Sequence, residues 1–198
     1  VTVGILGGPL TVNAVATPQS ICHGSSTVLG AIGSGGAGNY SYAWTGPNGF
    51  TSSLPNPTVA PATTSVYGVS VFDGYNTATG SVTVTVIPLP EASAGTNKSI
   101  PYGTYTFLSG SVLNGNSSYY YSWSPASKLI NAGIQNPQST NLTSTTIYTL
   151  VATDLLTNCV SNNDANVAVE VTGGPLNVNP VATPSSICRG DTTRLHAS

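Results

Sequence analysis

The side chains best suited to metal binding, acid–base work or redox chemistry are few here: three Cys, two His and six Asp or Glu in 198 residues. A metal site needs three or four such ligands at close spacing. His23 follows Cys22 directly, but no further ligand lies nearby, and the corresponding residue of an internal repeat is Arg189. His196 is equally isolated. The acids are Asp73, Glu91, Asp154, Asp164, Glu170 and Asp191, spread along the chain. Glycoside-type hydrolysis needs two carboxylates facing one bond, and a calcium site needs several oxygens in one loop. Asp73 and Asp154 fall at equivalent positions of two related halves, where a short carboxylate bonds its own turn. No G-x-S-x-G elbow or phosphate-binding loop occurs. The stretch Gly30–Gly38 (GAIGSGGAG) precedes no helix and reads as a flexible loop. No catalytic, cofactor-binding or metal-ligating residue is therefore expected, no cofactor is implied, and the chain is not expected to be an enzyme.

The cysteines lead to the organisation of the chain. Gly7–Ala31 (GGPLTVNAVATPQSICHGSSTVLGA) returns 166 positions later as Gly173–Ala197 (GGPLNVNPVATPSSICRGDTTRLHA), with 17 of 25 residues identical. Cys22 and Cys188 are thus one position in successive copies, and Cys159 has no second copy. Each period owns two cysteines, which explains the odd total. The chain is expected to be one full period plus a piece of the next, part of a long tandem array. Such arrays usually supply length and spacing rather than chemistry.

Only 5% of residues are charged and the formal net charge is −2. A nucleic-acid partner would require a basic footprint. No apolar run reaches the ~18–20 residues needed to span a bilayer as a helix. Val, Ile, Thr and Tyr are abundant, and Gly, Pro, Asn, Ser and Thr punctuate short apolar runs. This is the composition of an all-β protein rich in turns. Few Lys, no Met and a surface of Thr, Ser, Asn and Tyr point to the cell exterior.

A 166-residue period suits two small β domains, and its halves align. Ser20-Ile-Cys-His-Gly matches Ser99-Ile-Pro-Tyr-Gly, Tyr42-Ala-Trp44 matches Tyr121-Ser-Trp123, and Thr64-Ser-Val-Tyr67 matches Thr145-Thr-Ile-Tyr148. Val82–Val86 matches Val167–Val171 in the same way. Each half reads as seven short strands with period-2 alternation, the pattern of a two-sheet sandwich. Thr27, Leu29 and Ala31 should face inward and Val28 outward. Trp44, Tyr67, Trp123 and Tyr148 should form the cores. The expected domains are residues 1–8 (last strand of a preceding domain), 9–87, 88–172, and 173–198 (first strands of the next copy).

The order S-I-C-x-G, Y-x-W, T-x-x-Y-x-V-x-V-x-D and a closing V-x-V-x-V resembles the PKD-like or immunoglobulin-like repeats of large secreted and cell-surface proteins of Bacteroidetes-type bacteria. Trp123-Ser-Pro and Thr157-Asn-Cys159 fit that pattern; Trp44-Thr-Gly departs from it. The resemblance implies tandem immunoglobulin-like (PKD-like) β-sandwiches strung end to end, outside the cell or on its surface. It implies little about activity, since such sandwiches host many roles.

In an immunoglobulin-type sandwich the turn after the first strand and the turn between the last two strands lie at opposite ends of a domain. In an end-to-end string, Cys22 of the first domain and Cys159 of the second meet at one junction. The other junction offers no thiol. The expectation is a Cys22–Cys159 inter-domain disulfide, with Cys188 paired beyond the sequence shown. Buried free thiols are the alternative, because unpaired Cys packs as a small hydrophobe. A Cys159–Cys188 bond is closer in sequence but less favourable in geometry.

The functional expectation is a structural stalk or filament segment of a long repetitive surface protein, an adhesin or an appendage. Its partners would be further copies of the repeat, including neighbouring chains in a filament, with no nucleic acid and no membrane insertion in this segment. Ile87-Pro-Leu-Pro90 stiffens one junction, and Gly173-Gly-Pro-Leu176 loosens the other. The alternatives are a carbohydrate- or protein-binding module, with Tyr120 as the outward aromatic, and the non-catalytic accessory part of a secreted enzyme.

Overall fold

The computed structural model describes residues 8–113, 118–162 and 165–197. The expected final strand of a preceding domain, residues 1–8, lies outside them except for Gly8. Among the described residues, regular structure is almost entirely β, with two single-turn 3-10 segments at Pro47–Gly49 and Ala126–Lys128.

The first sandwich uses eight strands: β1 (Thr11–Thr17), β2 (Ser20–Cys22), β3 (Thr27–Ser34), β4 (Ser41–Thr45), β5 (Thr51–Ser52), β6 (Thr58–Val59), β7 (Ser65–Phe72) and β8 (Thr77–Ile87). They form a sheet of order β1-β3-β6 and one of order β2-β8-β7-β4-β5. Seven strands were expected. The eighth arises because the first breaks at Pro18, which has no N–H to continue a ladder. Before the break, β1 runs antiparallel to β3 (Ala16↔Leu29); after it, β2 runs parallel to β8 (Ile21↔Val86).

Alternation sets the core. Thr27, Leu29 and Ala31 are buried while Val28 is exposed, and Val69, Val71, Val82 and Val84 are buried from the facing sheet. Trp44 and Tyr67 complete this layer, with Phe50 set edge-on to Tyr67 at 5.4 Å between ring centres. Each such side chain contributes about 1.5–3 kcal/mol of burial.

The Gly30–Gly38 stretch is half strand, which corrects the flexible-loop reading. Gly30 and Gly33 lie in β3. A Cβ on Gly33 would stand 3.0 Å from the Tyr40 ring, so its absence makes room for that aromatic. The turn that follows is pinned. Tyr40 Oη donates to the Gly35 carbonyl at 2.7 Å, and Ala37 N–H donates to Asp73 Oδ2 at 3.0 Å. Gly36 takes φ +58°, and a Cβ there would strike the Asp73 carboxylate.

The second set comprises β9 (Glu91–Ser93), β10 (Lys98–Pro101), β11 (Ser111–Leu113), β12 (Tyr119–Ser124), β13 (Thr146–Asp154) and β14 (Ala165–Thr172). Their sheets have the orders β10-β14-β13-β12 and β11-β9. The local hydrogen bonding repeats that of the first set. Ile100 pairs in parallel with Val171 as Ile21 does with Val86. Tyr102 N–H donates to Thr172 O as His23 N–H does to Ile87 O. Thr145 Oγ1 accepts from Val171 N as Thr64 Oγ1 does from Val86 N. Trp123, Tyr148, Leu150, Val167 and Val169 are buried.

A final hairpin, β15 (Pro180–Thr183) and β16 (Arg194–Ala197), pairs Ala182 with Leu195 and Thr183 with Arg194. Moved back one period, these are the β1–β3 pairs Ala16↔Leu29 and Thr17↔Val28.

By contact density the chain divides into two compact units. One is Val1–Ala92 with Val112–Tyr120 and Val151–Asn163; the other is Ser93–Ser111, Tyr121–Leu150 and Asp164–Ser198. Residues 151–163 therefore group with the first unit, to which Cys159 is covalently tied.

Candidate functional site

Cys22 closes β2, and a tight turn follows. Ser25 N–H donates to the Cys22 carbonyl at 2.9 Å, with Gly24 at φ +83°. Cys159 sits in a second turn, built by an aspartate. At the end of β13, Asp154 Oδ1 accepts from Leu156 N at 2.8 Å and Thr157 N at 3.0 Å. Asn158 N–H donates to Asp154 O, and Asp154 N–H returns to Cys159 O at 2.9 Å. Asn158 takes φ +58°, a left-handed conformation that Asn tolerates better than most residues. Cys159 is left almost wholly buried. The Cys22 and Cys159 sulfurs are 2.03 Å apart, a disulfide spanning 137 positions of sequence, and both residues lie in the first compact unit. Cys188 is a free, exposed thiol.

Beside this bond an open cavity of about 330 Å³ is lined by His23, Thr63, Thr64, Val86, Leu89 and Asn162, among others. His23 is the only titratable side chain in its lining. That set offers a hydrogen bond and an apolar wall; it offers no acid–base pair.

The remaining reactive groups stay apart. Among the described residues no group of three or more His, Cys, Asp or Glu could hold a metal ion. Asp73 accepts from Asn76 N at 2.6 Å, Tyr75 N at 2.9 Å and Ala37 N at 3.0 Å. These donors, Asn76 first, hold its carboxyl below the ordinary aspartate range. Glu91 lies in β9 and Glu170 in β14, and Asp191 follows Cys188 in a turn. Asp164 lies outside the described residues. The two carboxylates expected to serve turns do serve them, and Asp73 has a task that local sequence could not reveal: it reaches 36 positions back to the glycine turn at Ala37.

The four core aromatics differ in how their polar atoms are met. Trp123 Nε1 donates to the Ile134 carbonyl at 3.1 Å, and Tyr148 Oη donates to the Lys128 carbonyl at 3.1 Å. Trp44 Nε1 is buried without an acceptor among the described residues. Burial raises the hydroxyl pKa of both Tyr67 and Tyr148. At the surface, Tyr120 is 57% exposed. The sequence reading passed over Tyr105 and Phe107, exposed and edge-to-face at 6.1 Å. Their alternation with buried Leu108 was the available signal.

No family model and no curated protein matches the chain. Solved structures do resemble it at low identity. An I-band fragment of titin aligns with 13% identity and a TM-score of 0.41, over 81% of this chain and 62% of that one. The four N-terminal Ig domains of a Dscam1 isoform align with 14% identity and a TM-score of 0.32, over 86% and 46%. The insect immune protein hemolin aligns with 12% identity and a TM-score of 0.41, over 77% and 44%. The chain thus spans less than two thirds of each of these molecules. It is an all-β protein of tandem immunoglobulin-like sandwiches, and the strand orders above carry that assignment.

No helix among the described residues is long and apolar enough to cross a membrane.

Proposed function

We propose that this chain is a load-bearing spacer of a long extracellular array, with the Cys22–Cys159 bond as its brace. One observation carries the reading: the bond encloses 137 positions of sequence, and Trp44, Tyr67, Trp123 and Tyr148 all lie within them. Tension applied along the chain passes from Cys22 to Cys159 through sulfur, so the segment between them cannot be drawn out while the bond holds. Only 29 positions separate Cys159 from Cys188, where the next brace begins. Cys188 takes the part of Cys22 in the following copy and pairs with that copy's equivalent of Cys159.

On the chain-entropy account, closing a loop of this length stabilises the fold by about 4–5 kcal/mol. Disulfides persist in oxidising compartments, which supports a location outside the cell or on its surface. The likeness to PKD-like repeats of secreted bacterial proteins agrees with this. The reading is non-enzymatic: Asp73 and Asp154 are committed to turns, and the histidines stand alone.

The test is the mass of the native material after denaturation and reduction. A chain far heavier than 20.0 kDa, recovered from the cell surface, is the expected result. A band at that mass, or a cytosolic pool with reduced cysteines, would contradict the proposal.

The exposed pair Tyr105 and Phe107 favours a binding module as the second reading. Saturable binding to a glycan array that is lost in a Tyr105→Ala, Phe107→Ala double variant would establish it.

A further inference from the structure

The β15–β16 hairpin is built like β1–β3 and buried unlike it. Thr193 Oγ1 donates to the Pro184 carbonyl as Thr27 Oγ1 does to that of Pro18. Asp191 N–H donates to Cys188 O as Ser25 N–H does to Cys22 O. The strand registers coincide pair for pair. Yet Leu195 is 76% exposed where Leu29 is 0%, and Ile187 is 47% exposed where Ile21 is 4%. Leu195 and Ile187 are thus the core-facing positions of the first copy, here left in water, and large apolar side chains exposed together mark an interaction face.

The first copy shows what such a face accepts. Leu29 and Ile21 belong to a core supplied by Trp44, Val59, Tyr67, Val71 and Val84. Backbone partners come from the same stretch: Leu29 N–H donates to Pro57 O, Thr27 pairs with Val59, and Ile21 with Val86. All of these lie between residues 32 and 87.

We infer that the hairpin is a docking face for a further copy of segment 32–87 of this chain's own repeat, which closes it into a third sandwich. The inference rests on the tandem reading only for the existence of a further copy. The experiment supplies that copy, so the two ideas fail separately.

Residues 1–197 are extended at the C-terminus with the chain's own residues 32–87, so that the Ala31–Ile32 connection recurs after Ala197. A second extended chain carries Val71→Asp in the added copy. Amide hydrogen exchange is followed at Val181–Thr183 and Arg194–His196 in both, and in the unextended chain at several concentrations. The expected result is exchange slowed by ~100-fold or more in the extended chain alone, as for amides moved from a fraying element into a core. An added segment that stays unfolded, or one that folds while the hairpin still exchanges as in the parent, would overturn the inference. Concentration-dependent protection of the unextended chain would overturn it too, by making a second molecule the occupant. Protection that survives Val71→Asp would show that the added core is not what covers the hairpin.

Discussion

Leu29 and Leu195 hold one position in two copies of a hairpin, and one is fully buried while the other is three-quarters exposed. The shared register, turn bonds and threonine bond show what a local sequence can specify without a core. The difference shows what it cannot. An isolated hairpin is marginal in water, and burial of its inner face comes from residues far along the chain. The copies also differ in their cysteines, since Cys22 is bonded and Cys188 is free.

The cysteines allow the largest break in this comparison. Cys159→Ser should lower stability by about 3–5 kcal/mol, read from urea unfolding followed by tryptophan fluorescence, while Cys188→Ser should stay within about 0.5 kcal/mol. Equal effects would erase the distinction between the copies. The leucines come next. Leu29→Ala should cost about 2–5 kcal/mol through lost burial and a residual cavity. Leu195→Ala should be close to neutral, within about 0.5 kcal/mol, as for an exposed site.

A smaller contrast separates the two sandwiches. Trp123→Phe removes the bond to Ile134 and leaves that carbonyl without its donor, whereas Trp44→Phe removes an indole N–H that has no acceptor among the described residues. Trp123→Phe should therefore be the more damaging by about 1–2 kcal/mol. The smallest effect is acid dependence. The Asp73 pKa is lowered by folding, so its contribution is fully present above the ordinary aspartate value near ~3.9 and is lost as pH falls through the lower folded value. Asp73→Asn should flatten that acid limb of a melting-temperature profile; an unchanged limb would remove Asp73 from the account.

Much of this was legible in the sequence, for identifiable reasons. Period-2 alternation marks Leu29 against Val28, and the repeated Y-x-W marks Trp44 and Trp123. Other features depend on the meeting of distant residues. The glycine stretch looks flexible because nothing near it signals that Asp73 will bond Ala37 or that the Tyr40 ring will lie on Gly33. The split of the first strand at Pro18 was missed because proline marks a break without saying which sheet the chain joins next. The acceptor for Trp123 comes from the loop at Ile134, which has no alternation to read.

The central claim is that the Cys22–Cys159 bond diverts tension around the segment it encloses. Single-molecule stretching of the chain from its two ends, oxidised and then reduced, tests it most directly. With 137 positions enclosed, at most ~3.6 Å each, reduction should lengthen the fully extended chain by roughly 450–490 Å. It should also expose unfolding events that are absent in the oxidised chain. Equal extended lengths in the two states would mean that the bond bears no load, and the brace would have to be abandoned.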